Sequence, residues 1–295
     1  VFQGNRVRPV TQNGLGGAVF IEVQADVTIS DSRFVGNEVV VPVAVTSQIY
    51  RSGGVQVRSK SLLIERSEIS NNALVDPQGR DVTRAGGLQL INQLADLQDP
   101  VDAMTARIRN STIAGNVSSA TAGAMLVVGN VALTLQNSSV TENQAPPTRT
   151  GGIIFTTTGT VPAGGTTSAP SLTLVSSVLA NNSSDSGDIA AGVAQIPSLT
   201  VNATNSLIEK ICASPSCNIS VTGSGNIVGQ DPKLGVLMAN GGLSRTQALL
   251  PGSPALDAGS NPLSLTTDQR GAGYARVVGA AADMGAFETG NPLPP

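Results

Sequence analysis

Ile64-Glu65-Arg66-Ser67-Glu68-Ile69-Ser70-Asn71-Asn72 is one copy of a phrase that runs through the first two thirds of the chain. Its skeleton is an apolar residue, two variable positions, Ser, one variable position, a second apolar residue, two variable positions and Asn. The same skeleton reads Ile29…Ser32…Phe34…Asn37, Ile108…Ser111…Ile113…Asn116, Leu135…Ser138…Val140…Asn143 and Leu174…Ser177…Leu179…Asn182. Asn5 ends an earlier copy, and Asn205-Ser206-Leu207-Ile208 is a decayed one. A second phrase precedes each copy: a pair of small residues, then a short apolar strand. It reads Gly16-Gly17 before Ala18-Val19-Phe20-Ile21, Gly53-Gly54 before Val55-Gln56-Val57, and Gly86-Gly87 before Leu88-Gln89-Leu90. Ala122-Gly123 and Gly151-Gly152 continue it.

Self-similarity at such a period is the mark of a stacked repeat. The interval between copies varies from 27 to 44 residues. The extra length falls in turn-forming stretches such as Asp76-Pro77-Gln78-Gly79 and Pro162-Ala163-Gly164-Gly165, which read as loops between fixed strands. One unit cannot bury its own apolar positions, whereas a stack of units can. The expectation is an all-β, single-stranded, right-handed parallel β-helix, a solenoid of the pectin-lyase-like type with an irregular C-terminal cap. In it, Ser32, Ser67, Ser111, Ser138 and Ser177 form one polar column. Asn37, Asn72, Asn116, Asn143 and Asn182 form another, with Asn suited both to amide stacking and to the left-handed turn conformation. The small-residue pairs are read as tight bends in which Gly accepts positive φ. The repeat register also sets Asp31 against Arg66, Glu65 against Arg109 and Arg33 against Glu68, opposite charges that support the alignment.

Composition agrees. Apolar residues make up 40% of the 295 but aromatics only 2%, so the core is aliphatic, built from Val, Ile, Leu and Ala. The balance of 17 basic and 20 acidic residues carries no basic patch for phosphates, which argues against nucleic acid as a partner. No apolar run approaches the roughly 20 residues that span a bilayer. With no histidine and two cysteines, zinc has too few ligands and His-dependent triads are excluded. Gly14-Leu15-Gly16-Gly17 falls short of a dinucleotide fingerprint. Calcium is possible in an Asp- or Asn-rich turn, but no ligand set with defined spacing appears, and no cofactor is expected. Cys212 and Cys217 flank a short loop, and a disulfide between them implies an oxidising compartment.

After Gly223 the repeat gives way to Asp231-Pro232-Lys233-Leu234-Gly235, Asn240-Gly241-Gly242 and Ala248-Leu249-Leu250-Pro251-Gly252-Ser253-Pro254-Ala255-Leu256-Asp257-Ala258-Gly259. Thr267-Asp268-Gln269-Arg270-Gly271 and Ala282-Asp283-Met284-Gly285-Ala286-Phe287-Glu288 follow. These phrases closely resemble the end of the choice-of-anchor Q domain family. The glycine pairs and Ser…Asn phrases resemble the pectin-lyase-like repeats of large bacterial surface proteins, so the resemblance covers nearly the whole chain. It implies export and display at a bacterial cell surface, with a signal peptide before this domain and an anchoring element after it. The family usually has His where this chain has Gln247. The domain is read as β-helix coils over residues 1–222, a C-terminal coil and cap over 223–288 and an exit linker over 289–295.

Three functions compete. The first is a non-catalytic, secreted or surface-displayed structural, adhesive or filament-forming module, partnered by itself, other surface proteins or glycans. The second is a polysaccharide lyase or glycoside hydrolase on a lateral groove, with Asp31, Glu65, Arg66, Glu68 and Arg109 as candidate catalytic residues. The third is a carbohydrate-binding module, for which Tyr50 and Tyr274 are the only tyrosines and Trp is absent.

Overall fold

The computed structural model describes residues 1–7, 17–41, 51–78, 84–92, 103–156, 170–183, 187–192, 196, 198–212 and 219–292. Among them the chain is all-β, in parallel sheets of eight, seven, six, four and two strands. From Asp26 the chain makes a circuit. Asp26–Ser30 lies in the seven-stranded sheet, Arg33–Val35 in the eight-stranded, Glu38–Val40 in the four-stranded, Arg51–Ser52 in the two-stranded and Val55–Arg58 in the six-stranded sheet. Ser61–Glu65 then returns to the seven-stranded sheet, parallel to Asp26–Ser30, with Ile64 opposite Ile29. Later circuits repeat this return: Ile108 sits on Ile64, Leu135 on Ile108, Leu174 on Leu135 and Ala203 on Leu174.

The strands form where side chains alternate. In Leu199–Thr204 every second residue is buried and its neighbours are exposed. Inward residues join in one aliphatic core, with Ile69, Ile113, Val140, Leu179 and Ile208 as one of its columns and Phe155 and Phe34 as its aromatics. The circuit length is free to vary because only the strands are in register.

Two polar columns stand at the corners. Ser32 N–H donates to Ser67 Oγ at 3.1 Å, Ser67 N–H to Ser111 Oγ at 3.1 Å, Ser111 N–H to Ser138 Oγ at 3.3 Å and Ser138 N–H to Ser177 Oγ at 3.3 Å. Each hydroxyl in turn donates to the carbonyl two residues back, as from Ser67 to Glu65 at 2.8 Å. In the other column each Asn Oδ1 accepts twice. Asn116 Oδ1 takes the backbone N–H of Asn72 at 3.0 Å and its Nδ2 at 2.9 Å. Asn37, Asn72, Asn143 and Asn182 repeat the motif.

The residue before each column position is left-handed. Asp31, Arg66, Asn110, Asn137, Ser176 and Asn205 precede the serines with φ of 45–50°, and Gly36, Asn71, Gly115, Glu142 and Asn181 precede the asparagines with φ of 53–65°. This corrects the role expected of the glycine pairs. None of Gly53, Gly54, Gly86 and Gly87 has positive φ; a Cβ on Gly53 would stand 2.5 Å from the Gly86 carbonyl oxygen, and one on Gly87 would stand 2.7 Å from that of Ala124. The pairs serve close approach between circuits, and the bends belong to the residues before Ser and Asn. Gly16 and Pro162–Gly165 lie outside the described residues.

The segment after the repeats was expected to cover the last coil. Its contacts lie instead along the outer flank of the eight-stranded sheet. Leu249, Ala255 and Met284 pack with Val178, Ala180 and Leu207 in a second apolar cluster. The outward residues of that sheet explain the choice: Glu68 and Ser70, then Thr112 and Ala114, then Ser139 and Thr141, then Val178 and Ala180, then Leu207. An apolar face toward water would be costly, and the returning chain buries it. The last strands, Ile219–Thr222 and Ile227–Val228, stay half-buried to exposed.

Asn116→Ala removes the acceptor for two buried donors of Asn72 and two donors of its own. It should cost about 3 kcal/mol or more in urea unfolding. Asn5→Ala, at an exposed end of the column, should cost under about 1 kcal/mol. Equal losses at both positions would mean that the column is not cooperative.

Candidate functional site

The five candidate catalytic residues fall on neighbouring circuits, at the corner between the seven- and eight-stranded sheets. Arg66 grips Asp31 with two bonds, Nε to Oδ1 at 2.8 Å and Nη2 to Oδ2 at 2.7 Å. Arg109 reaches Glu65 Oε2 with Nη2 at 2.6 Å, Arg66 Nη1 lies 3.6 Å from the same oxygen, and Ser30 Oγ donates to Glu65 Oε1 at 3.1 Å. Arg33 Nε donates to Glu68 Oε2 at 2.9 Å. The sequence register anticipated all three cross-circuit pairs.

The structure adds a partner that the register could not show. Arg245, from the returning segment, donates its backbone N–H to Glu68 Oε2 at 2.9 Å and its Nε to Oε1 at 2.7 Å, while its Nη2 donates to Ser70 Oγ at 2.8 Å. Glu68 is fully buried between two arginines. Asp31 lies 42% exposed on the side-chain scale, so its pair belongs to the weak surface class, worth about 0.2–1 kcal/mol.

The titration of these carboxylates follows from their partners. The Arg66 hydrogen bonds hold Asp31 below the ordinary range. Burial pushes Glu65 up, but the hydrogen bonds from Arg109 and Ser30 and the charges of Arg109 and Arg66 together outweigh it, and the net direction is down. Burial likewise opposes ionisation of Glu68, and the hydrogen bonds from Arg245 and Ser70 outweigh it. A general acid or base works best with a pKa near the operating pH and a lone pair or proton free for substrate. These groups are held ionised with their lone pairs directed at arginines, an arrangement suited to pinning circuits together.

A second charged cluster, missed as a site at the sequence level, lies inside the returning segment. Arg270 Nη2 donates to Asp268 Oδ2 at 2.7 Å and to the Glu288 carbonyl at 2.6 Å, and its guanidinium is sandwiched between the rings of Tyr274 and Phe287 at 4.2 and 3.9 Å. Arg276 Nη2 donates to Glu288 Oε2 at 3.0 Å. The other Glu288 oxygen accepts from Val278 N–H at 2.9 Å. Burial pushes Glu288 up to about 7 and Arg276 down, the signature of an ion pair taken out of water. The phrases Thr267–Gly271 and Ala282–Glu288 are thus the internal framework of this segment. Gln247 is buried against the flank, its Oε1 accepting from Thr141 Oγ1.

Asp188 is a further buried acid with a large shift. It ends the asparagine column: Oδ1 accepts from Asn182 Nδ2 at 2.9 Å and Oδ2 from Lys210 N–H at 2.7 Å. The next column position, five residues after Ser206, is Ile211, which offers no acceptor. Burial pushes Asp188 up to about 6.

Among the described residues, no group of three or more His, Cys, Asp or Glu comes together as a metal site. Cys212 is disulfide-bonded, and Cys217 lies outside the described residues. No helix among them is long and apolar enough to cross a membrane. No family model, curated protein or solved structure matches this chain.

Two predictions follow from the electrostatics. Glu68→Gln leaves two arginines against a neutral amide and should cost about 3 kcal/mol, whereas Asp31→Asn should cost under about 1 kcal/mol by urea unfolding. Equal costs would show that Glu68 does not hold the returning segment. Asp188 is raised on folding, so its contribution to stability is present below the unfolded pKa and lost as pH rises through about 6. Compared with Asp188→Asn, the wild type should lose about 3 kcal/mol between about pH 4 and pH 7. A pH-independent difference would remove Asp188 from the account.

Proposed function

We propose that this chain is a single right-handed parallel β-helix that acts outside the cell as a non-catalytic structural or adhesive module, displayed at a bacterial surface. Support for the fold comes from the circuit, in which each strand pairs in parallel with its equivalent one turn on. Parallel crossovers are right-handed in about 98% of cases. Support for the address comes from the disulfide at Cys212, which persists in oxidising surroundings, and from the choice-of-anchor Q resemblance of the C-terminal phrases.

The observation that carries the functional reading is the fate of the candidate charges. Asp31, Glu65, Arg66, Glu68 and Arg109 are bound to one another or to Arg33 and Arg245 in bonds that join successive circuits or seat the returning segment. A rod of this kind offers long lateral faces to other copies, surface proteins or glycans.

The test is incubation of the purified protein with acidic and neutral polysaccharides, with and without Ca²⁺. No product is expected. Unsaturated products or new reducing ends that disappear in Arg109→Ala, with unfolding unchanged, would replace this reading with a lyase or hydrolase.

A further inference from the structure

In a stack of repeats each circuit touches only the circuits before and after it, so stability adds locally and either end can open alone. The segment from Pro232 to Pro292 departs from that rule. It meets five successive strands of the eight-stranded sheet, those that carry Glu68, Thr112, Thr141, Val178 and Leu207. Arg245 takes Glu68, Thr112 Oγ1 donates to Gln269 Oε1 at 2.6 Å, Thr141 Oγ1 donates to Gln247 Oε1, and Leu249 and Met284 cover Val178 and Leu207. Backbone groups add to these ties. Ala286 N–H donates to Ser139 Oγ at 3.1 Å, and Gly285 N–H to the Ser176 carbonyl at 2.7 Å.

The ties are also braced to one another inside the segment. Gln269 Nε2 donates to the Arg245 carbonyl at 3.0 Å, which joins the tie at Thr112 to the tie at Glu68. Gln269 N–H donates to the Ala286 carbonyl at 3.1 Å, which joins it to the tie at Ser139. The buried pairs Asp268–Arg270 and Arg276–Glu288 stiffen the frame that carries these residues. The start of the segment is fixed as well, because Gly229 N–H donates to the Ile208 carbonyl at 3.1 Å. Glu68 and Ser139 lie two circuits apart, yet a displacement at one strains the hold on the other. Residues that share a bonded network in this way are energetically coupled.

We propose that this segment is a strap that makes the circuits from Glu68 to Leu207 open and close as one unit. A stack tied in this way gives up no single circuit to a protease or to a pull along its axis.

The experiment is native-state hydrogen exchange on the full chain, followed against urea. It reads the amides of Glu68, Thr112, Ser139, Val178 and Leu207, each of which donates to a serine carbonyl of the preceding circuit. In the native protein their protection factors should agree within about threefold and share one urea dependence. The triple variant Arg245→Gln, Gln247→Ala, Gln269→Ala removes the side-chain ties at Glu68, Thr141 and Thr112. In it the Glu68 and Thr112 amides should lose about tenfold or more protection relative to those of Val178 and Leu207. Arg33→Gln is the control. It takes a bond from the same Glu68 carboxylate, but one made within the stack, and should move all five amides by a common factor. Native amides graded from one end of the stack to the other overturn the strap. So does a triple variant in which the five still move together, or an Arg33→Gln protein in which they separate. If the triple variant does not fold, Gln269→Ala decides in its place: Glu68 and Thr112 should run ahead of Leu207, and a common shift overturns the proposal.

Discussion

A corner turned through one left-handed residue sends the next backbone N–H along the stack, and that group must be met there. At Ser32, Ser67, Ser111 and Ser138 it is met by a serine hydroxyl of the following circuit, and at Asn37, Asn72, Asn116 and Asn143 by an amide oxygen. An unpaired buried N–H costs about 1–3 kcal/mol, so the corner and the column stand or fall together. A left-handed non-glycine residue costs roughly 1–2 kcal/mol more than the right-handed form. Arg66, Asn110 and Glu142 nonetheless adopt it, because two or more buried hydrogen bonds per circuit offset that cost. Strand register, core columns and the approach of the glycine pairs all follow from the spacing these corners impose.

The same constraint explains how a column ends. Where Ile211 replaces the next asparagine, Asn182 still carries donors that need an acceptor in a buried place. Asp188 reaches in from a neighbouring strand connection and supplies two oxygens, one for the column and one for Lys210 N–H. A carboxylate suits a terminus because it only accepts; another amide would bring two donors that need further partners. The elevated pKa of Asp188 is the consequence of using a charged group for this purpose under cover.

Legibility in the sequence followed periodicity. Serine and asparagine recur at fixed offsets from apolar residues, so both columns could be read directly, and the pairs Asp31–Arg66, Glu65–Arg109 and Arg33–Glu68 followed by superposing copies. Contacts made once leave no such trace. Arg245 meets Glu68 across 177 residues, and nothing in either local phrase marks the pairing. The glycine pairs were visible but misassigned, because turn-formers suggest positive φ, whereas here the missing Cβ makes room for a carbonyl of the adjacent circuit. The buried ion pairs of the returning segment were visible only as isolated charged residues in glycine-containing phrases, with no register to indicate that the charges face each other.

The gradient along the flank ties these observations to function. A free lateral face of a stacked sheet is the natural place for a polymer-binding groove, and in this chain that face from Glu68 to Leu207 is occupied by the chain's own C-terminal segment. The occupant matches its seat in polarity at both ends, and it neutralises the one fully buried carboxylate that faces it, Glu68. A groove kept for substrate would instead leave such a carboxylate reachable and free to exchange a proton. The sequence has spent its most distinctive phrases, those around Arg245, Asp268 and Glu288, on closing this face.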